Sequence, residues 1–146
     1  MATNSGDFYL GNPNLKKVGT QIDFTPEQIQ EYIICKDDPV YFAKNYIKII
    51  SLDEGIVPFK MWDFQEELIT KFHENRFNIA KLPRQTGKST TCVSYLLHYV
   101  LFNDNVNVGI LANKLSTARD LLGRLQLAYE QLPMWLQQGI IVYNKG

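Results

Sequence analysis

The spacing of apolar residues changes along the chain, and the changes mark its elements. Up to residue 24 they stand isolated among Gly, Asn, Pro and Lys, the pattern of an N-terminal arm with weak order of its own. Thr25-Pro26-Glu27-Gln28 then forms a capping box with proline at the first helical position. Ile29, Tyr32 and Ile33 follow at the i, i+3, i+4 spacing of a short amphipathic helix. Asp38-Pro39 opens a second helix, whose stripe is Val40, Ala43, Ile47 and Ile50. Residues 51–60, with Gly55 and Pro58, read as a loop that includes a short strand. Asp63 with Glu66 three residues on is an N-cap pattern, and Phe64, Leu68, Ile69 and Phe72 form the stripe of a third helix ending near Asn75.

Beyond that helix the period shortens. Phe77 to Leu82 predicts a strand, Pro83 to Gly87 a turn, and Lys88 to Phe102 a helix with Val93, Leu96, Leu97, Val100 and Leu101 on one face. Asn103-Asp104-Asn105 breaks it, and Val106 to Ala112 predicts a second strand. A long helix carrying Ala118, Leu121, Leu122, Leu125, Tyr129 and Leu132 on one face ends at Pro133, and Ile140 to Tyr143 predicts a third strand. Three helices followed by β-α-β-α-β predict an α/β domain with a parallel sheet and right-handed crossovers.

Composition narrows the class without changing this picture. Of 146 residues, 45% are apolar and 21% charged, which excludes a wholly disordered or collagenous chain. Fifteen basic residues balance fifteen acidic ones, so the chain has no strong general attraction to nucleic-acid phosphates. The polar start, Met1 to Asp7, has neither the basic nor the apolar region of a signal peptide. The longest apolar stretch, Val93 to Phe102, is about half a membrane span and carries His98. A soluble, intracellular protein is therefore expected. Cys35 and Cys92 lie far apart and read as free thiols in a reducing compartment. His73 and His98 have no partners at metal-ligand spacing and read as ordinary helix residues.

The candidate chemistry lies between the first predicted strand and its helix. Leu82-Pro83-Arg84-Gln85-Thr86-Gly87-Lys88-Ser89-Thr90 contains the Gly-Lys-Ser core of a phosphate-binding P-loop. A turn opening a helix leaves backbone N–H groups unpaired, and with the helix dipole they cradle anionic phosphates. The expected nucleotide-binding residues are Gln85, Thr86, Gly87, Lys88, Ser89 and Thr90. Gly87 lets the backbone approach closely, Lys88 reaches the β- and γ-phosphates, and the Ser89 hydroxyl ligates Mg²⁺. The loop departs from the usual pattern, because Leu82 stands where the first glycine is expected. Arg84 has two readings, a surface arginine or a cis arginine finger on the γ-phosphate, a role worth on the order of 10³–10⁵ in rate. Upstream, Gln65 offers an amide able to read adenine and Trp62 a face for stacking, against the plainer reading of an apolar helix start.

Taken together, these segments resemble the N-terminal ATPase domain of the large terminase subunit, the DNA-packaging motor of tailed bacteriophages, and most nearly that of contractile-tailed myophages. The resemblance runs from about residue 9 to the end. Cys35 to Ala43 resembles the family's N-terminal helices, Trp62-Asp63-Phe64-Gln65 its adenine-binding motif, and Pro83 to Ser89 its deviant Walker A loop. Gly109 to Lys114 resembles the strand and turn that follow, and Leu132-Pro133 through Gly146 the next connection. The implied fold is an incomplete P-loop NTPase of the RecA/ASCE-like kind, with residues 25–146 as the front of the ATPase domain and residues 1–24 as a flexible arm. The implied reaction is hydrolysis of ATP with Mg²⁺, coupled to translocation of double-stranded DNA into a procapsid. Lys88 and Arg84 are the implied catalytic residues, and Trp62 and Gln65 the adenine site. The implied partners are DNA, the portal protein and the small terminase subunit, in the host cell cytoplasm.

The resemblance also implies something missing. ATP hydrolysis needs a Walker B carboxylate for the metal and a glutamate to activate water. No apolar run ending in Asp-Glu follows Lys88, and the run at Val142-Tyr143 ends in Asn144. The family's nuclease domain has no counterpart here either. The expectation is a fragment that hydrolyses ATP negligibly on its own. A helicase-like P-loop ATPase, a non-enzymatic remnant acting through its N-terminal helices, and a small-molecule kinase remain as alternatives.

Overall fold

The computed structural model describes residues 5–51 and 53–144. Met1 to Asn4 of the arm, Leu52 of the loop and the final Lys145-Gly146 lie outside the described residues. The chain is a mixed α/β protein. Among the described residues there are five α-helices and one two-stranded antiparallel sheet. In chain order they are α1 (Pro26–Asp37), α2 (Pro39–Tyr46), β1 (Lys48–Ser51), β2 (Gly55–Pro58), α3 (Asp63–Glu74), α4 (Lys88–Phe102) and α5 (Leu115–Glu130).

Local signals account for the helix starts. Thr25 Oγ1 accepts from the Gln28 N–H at 3.3 Å, and Gln28 Oε1 accepts from the Thr25 N–H at 3.1 Å, which completes the capping box of α1. Asp38 Oδ1 accepts from the N–H groups of Val40 and Tyr41, each at 2.9 Å, and caps α2. Both bonds satisfy amides that the first helical turn leaves without partners. Gly55, with φ of 74°, opens β2 in the left-handed region, and β1 and β2 then pair Lys48 with Pro58 through Ser51 with Gly55.

The core forms around α4, which packs against α2, α3 and α5. Phe42 and Ile47 from the α2 region, Ile69 of α3, Leu97 and Leu101 of α4 and Ala128 of α5 are all buried. His98 is buried among the rings of Phe42, Tyr95 and Phe102. Its Nε2 lies 2.9 Å from the Cys35 carbonyl, so Nε2 carries the proton and donates, while the buried Nδ1 has no hydrogen-bond partner. Burial pushes the His98 pKa below its ordinary value and the Cys35 thiol up to about 12.

Three expectations change. First, α1 turns its Ile29 and Ile33 outward and buries Cys35 instead; Ile33 is 53% exposed. Half-buried Tyr32 packs edge-on against Phe102, and Glu31 accepts from the hydroxyls of Tyr41 and Tyr46, so these residues set the helix's rotation. Second, α2 ends at Tyr46, and Ile50, expected on its stripe, is an exposed residue of β1. Third, residues 77–82, 106–112 and 140–143 form no strand ladder, apart from one bridge at Ile140. Phe77, Ile79 and Leu111 are left exposed. A parallel strand takes its backbone hydrogen bonds from neighbours, and no ladder pairs 77–82 with 106–112 among the described residues. A cleft of about 770 Å³ lies between residues 75–78 and 107–109 and is lined on α4 by Cys92, Tyr95, Leu96 and Tyr99.

The arm, expected to have weak order of its own, takes its order from elsewhere. Leu15 is buried, and Lys17 bridges to Ile140 in parallel. The buried Gln137 accepts from the Lys16 N–H at 2.9 Å and donates to the Asn14 carbonyl at 2.9 Å. Gly139 makes this approach possible, since a Cβ there would lie 2.5 Å from the Val18 Cα.

Candidate functional site

The loop from Leu82 to Gly87 runs into the N-terminus of α4. Gly87 caps the helix in the left-handed region, with φ of 72°, and its carbonyl accepts the first helical bond from the Thr91 N–H at 3.0 Å. The N–H groups of the first turn, from Lys88 onward, therefore point out of the helix end, where the dipole favours an anion. Gln85 is also left-handed, with φ of 63°, which is strained for a residue with a Cβ. Two such residues turn the chain sharply from 82–84 into α4.

Side chains close the loop on itself. Lys88 Nζ donates to the carbonyls of Leu82 at 2.6 Å and Pro83 at 2.9 Å. Thr86 Oγ1 donates to the Pro83 carbonyl at 3.0 Å. The Lys88 ammonium is thus held inside the loop by carbonyl oxygens, where phosphate oxygens could replace them. Ser89 and Arg84 are exposed, and Thr90 is half-buried. Gln85 is exposed at the turn. The loop and helix start bring Gln85, Thr86, Gly87, Lys88, Ser89 and Thr90 together at one helix end.

The structure places Trp62 and Gln65 at the start of α3. The N-cap is Trp62, one residue before the expected Asp63, and Asp63 is the first helical residue. Gln65 supplies the cap interaction: its Oε1 accepts from the Trp62 N–H at 3.0 Å. Its Nε2 donates to the Thr86 carbonyl at 3.2 Å, which joins α3 to the loop. Gln65 is 4% exposed, whereas Trp62 is 61% exposed and tilted against Phe64. Sequence reasoning missed the link from Gln65 to Thr86. The sequence carries no signal for it, because Thr86 lies 21 residues away and offers only its carbonyl.

Cys92 lies one turn after Lys88 and faces the 770 Å³ cleft. Burial raises its thiol pKa, and the nearby Lys88 charge offsets part of that rise. Among the described residues no group of three His, Cys, Asp or Glu could hold a metal ion. Nor is any helix of the described residues long and apolar enough to cross a membrane. The chain matches no protein-family model.

Proposed function

We propose that the loop at residues 82–90 binds the phosphates of a nucleoside triphosphate, and that the chain is the nucleotide-binding front of a DNA-packaging ATPase of the large-terminase kind. The observation that carries the reading is the loop itself. A left-handed Gly87 opens a 15-residue helix whose first amides face outward, with the Lys88 ammonium held alongside by carbonyls that a phosphate can replace. ATP supplies the triphosphate, and Trp62 offers its exposed ring to the base. Arg84 is exposed within the loop, and in this reading its guanidinium would reach the γ-phosphate. Mg²⁺ would be held by Ser89 and the phosphates, and it would neutralise charge on them. After Lys88 the only carboxylate side chains are Asp104, Asp120 and Glu130, and none of them ends an apolar run as Asp-Glu. Hydrolysis by this chain is accordingly negligible in the proposal.

The finer fold belongs to the same reading. In this reading residues 77–82 and 106–112 would pair as strands of a P-loop parallel sheet, which they do not form in this structure. Double-stranded DNA, the portal protein and the small terminase subunit are the proposed partners, in the host cell cytoplasm. One observation favours a second reading, an interaction module without catalysis: Ile29, Ile33 and Ile34 of α1 are exposed on a helix that has a firm cap.

Calorimetric titration with a non-hydrolysable ATP analogue separates the two readings. The proposal expects saturable binding that Lys88→Ala weakens at least tenfold, roughly the effect of losing a charged hydrogen-bond partner. No binding by the unsubstituted chain favours the interaction module. Steady ATP turnover abolished by Lys88→Ala would overturn the expectation of an inactive fragment.

A further inference from the structure

We propose that the open edge of β1 is a docking strip for an extended, acidic segment of a partner protein, which adds to the hairpin as a third strand between β1 and α5. The proposal is independent of the nucleotide reading, because it uses none of residues 82–89.

The ladder shows which way the β1 backbone faces. The Phe59 N–H donates to the Ile47 carbonyl at 2.9 Å, and the register pairs Lys48 with Pro58 and Ile50 with Ile56. Bonded and unbonded pairs alternate in an antiparallel ladder. The N–H and C=O groups of Lys48 and Ile50 therefore point away from β2. Pro58, which has no N–H, fits the unbonded place opposite Lys48. Among the described residues these outward groups have no hydrogen-bond partner. A pocket of about 360 Å³ runs along the same edge and touches consecutive residues, Ile47 to Ile50. Alternate side chains of a strand take opposite faces, so a pocket that touches consecutive residues reaches the strand from its edge. Val93 of α4 and Leu127 and Ala128 of α5 give it apolar walls.

Charge selects the occupant. Lys48 and Arg124 both line the pocket, and no carboxylate does. Among the described residues neither cation is in an ion pair. Glu130 shares a neighbouring depression with Lys48 but accepts from the Tyr143 hydroxyl at 2.6 Å instead. A lysine on a free edge ordinarily keeps other strands away. Here a second cation lines the same trough from α5, so the edge repels basic strands and favours acidic ones. Strand addition draws affinity from main-chain bonds and specificity from pockets for alternate side chains. The occupant sets apolar side chains toward Val93 and Leu127 and carboxylates beside Lys48 and Arg124.

Blocked peptides of alternating valine and glutamate, and of alternating valine and lysine, are titrated into the whole chain and followed by fluorescence anisotropy. The glutamate peptide should bind saturably, and the lysine peptide should not. Lys48→Glu and Arg124→Glu should each weaken the glutamate peptide about tenfold, the effect of losing a charged partner, and the double variant should bind the lysine peptide instead. Both side chains are exposed, so the variants keep the core. Amide exchange reads the pairing itself: bound peptide should slow Lys48 and Ile50 and leave Ile49, already bonded to β2, unchanged. Binding without slowed exchange at Lys48 and Ile50 overturns strand addition. No saturable binding, equal binding of the two peptides, or an affinity that neither substitution moves overturns the acidic occupant. Octanoate, an apolar anion with no backbone, is the further control. If it displaces the glutamate peptide at equal concentration, the pocket is a small-anion site and the docking strip is overturned. A dimer of the free chain that Lys48→Glu dissociates, read by light scattering, assigns the edge to a second copy and overturns the partner.

Discussion

Leu97, midway along α4, is fully buried, whereas Ile79, in the extended segment leading toward the same helix, is 100% exposed. Leu97 was expected on the apolar face of a helix, and Ile79 within a short strand. Leu97 sits on a helix that satisfies its own backbone and needs only one face covered, and α2, α3 and α5 cover it. Ile79 sits in an extended segment whose backbone needs neighbouring strands, and no ladder forms there. The packed half and the open half thus differ in where their hydrogen bonds come from more than in how apolar they are.

The largest expected contrast is in amide exchange. Amides of the middle of α4 should exchange only on global unfolding, a span of about 5–15 kcal/mol for a domain. Those of residues 77–82 and 106–112 should exchange near the unfolded rate, and equal protection of Ile79 and Leu97 would erase the comparison. Mutation should give the next effect. Leu97→Ala is expected to cost about 2–5 kcal/mol in denaturant unfolding, and Ile79→Ala close to nothing. A substantial cost at Ile79 would mean that it is covered in solution.

The smallest effect concerns pH and probes the packed half alone. His98 has a folded pKa below its unfolded value of about 6.5, so the unfolded chain binds the proton more readily. Stability from the neutral ring is present above about 6.5 and is lost as pH falls toward the lowered folded value. Burial of the ring sets the direction, and a proton on Nδ1 would find no acceptor there. His98→Leu should flatten the stability profile between pH 7 and 5 relative to the unsubstituted chain, and parallel profiles would remove His98 from the account.

Legibility followed the same division. The bounds of α4, Lys88 to Phe102, and the capping box at Thr25 were readable because helix signals are local. The rotation of α1 was not, because Tyr32 and Glu31 outcompete Ile29 and Ile33 through partners distant in sequence. The run at 77–82 was read as a strand, but pairing depends on another segment and leaves no mark in the run itself, and no ladder forms there. In the candidate site, the Gly-Lys-Ser order marked the loop. The enclosure of the Gln65 amide was hidden, since Thr86 lies 21 residues away and presents only its carbonyl.

The clasp of Gln137 on the arm sets a schedule for the newborn chain. Lys16 must wait for a residue 121 positions later before its N–H finds that acceptor. At about 5–20 residues per second of synthesis, the delay is roughly six to twenty-four seconds. α1 through α4 can form during that interval, so the first residues made are among the last to find their places.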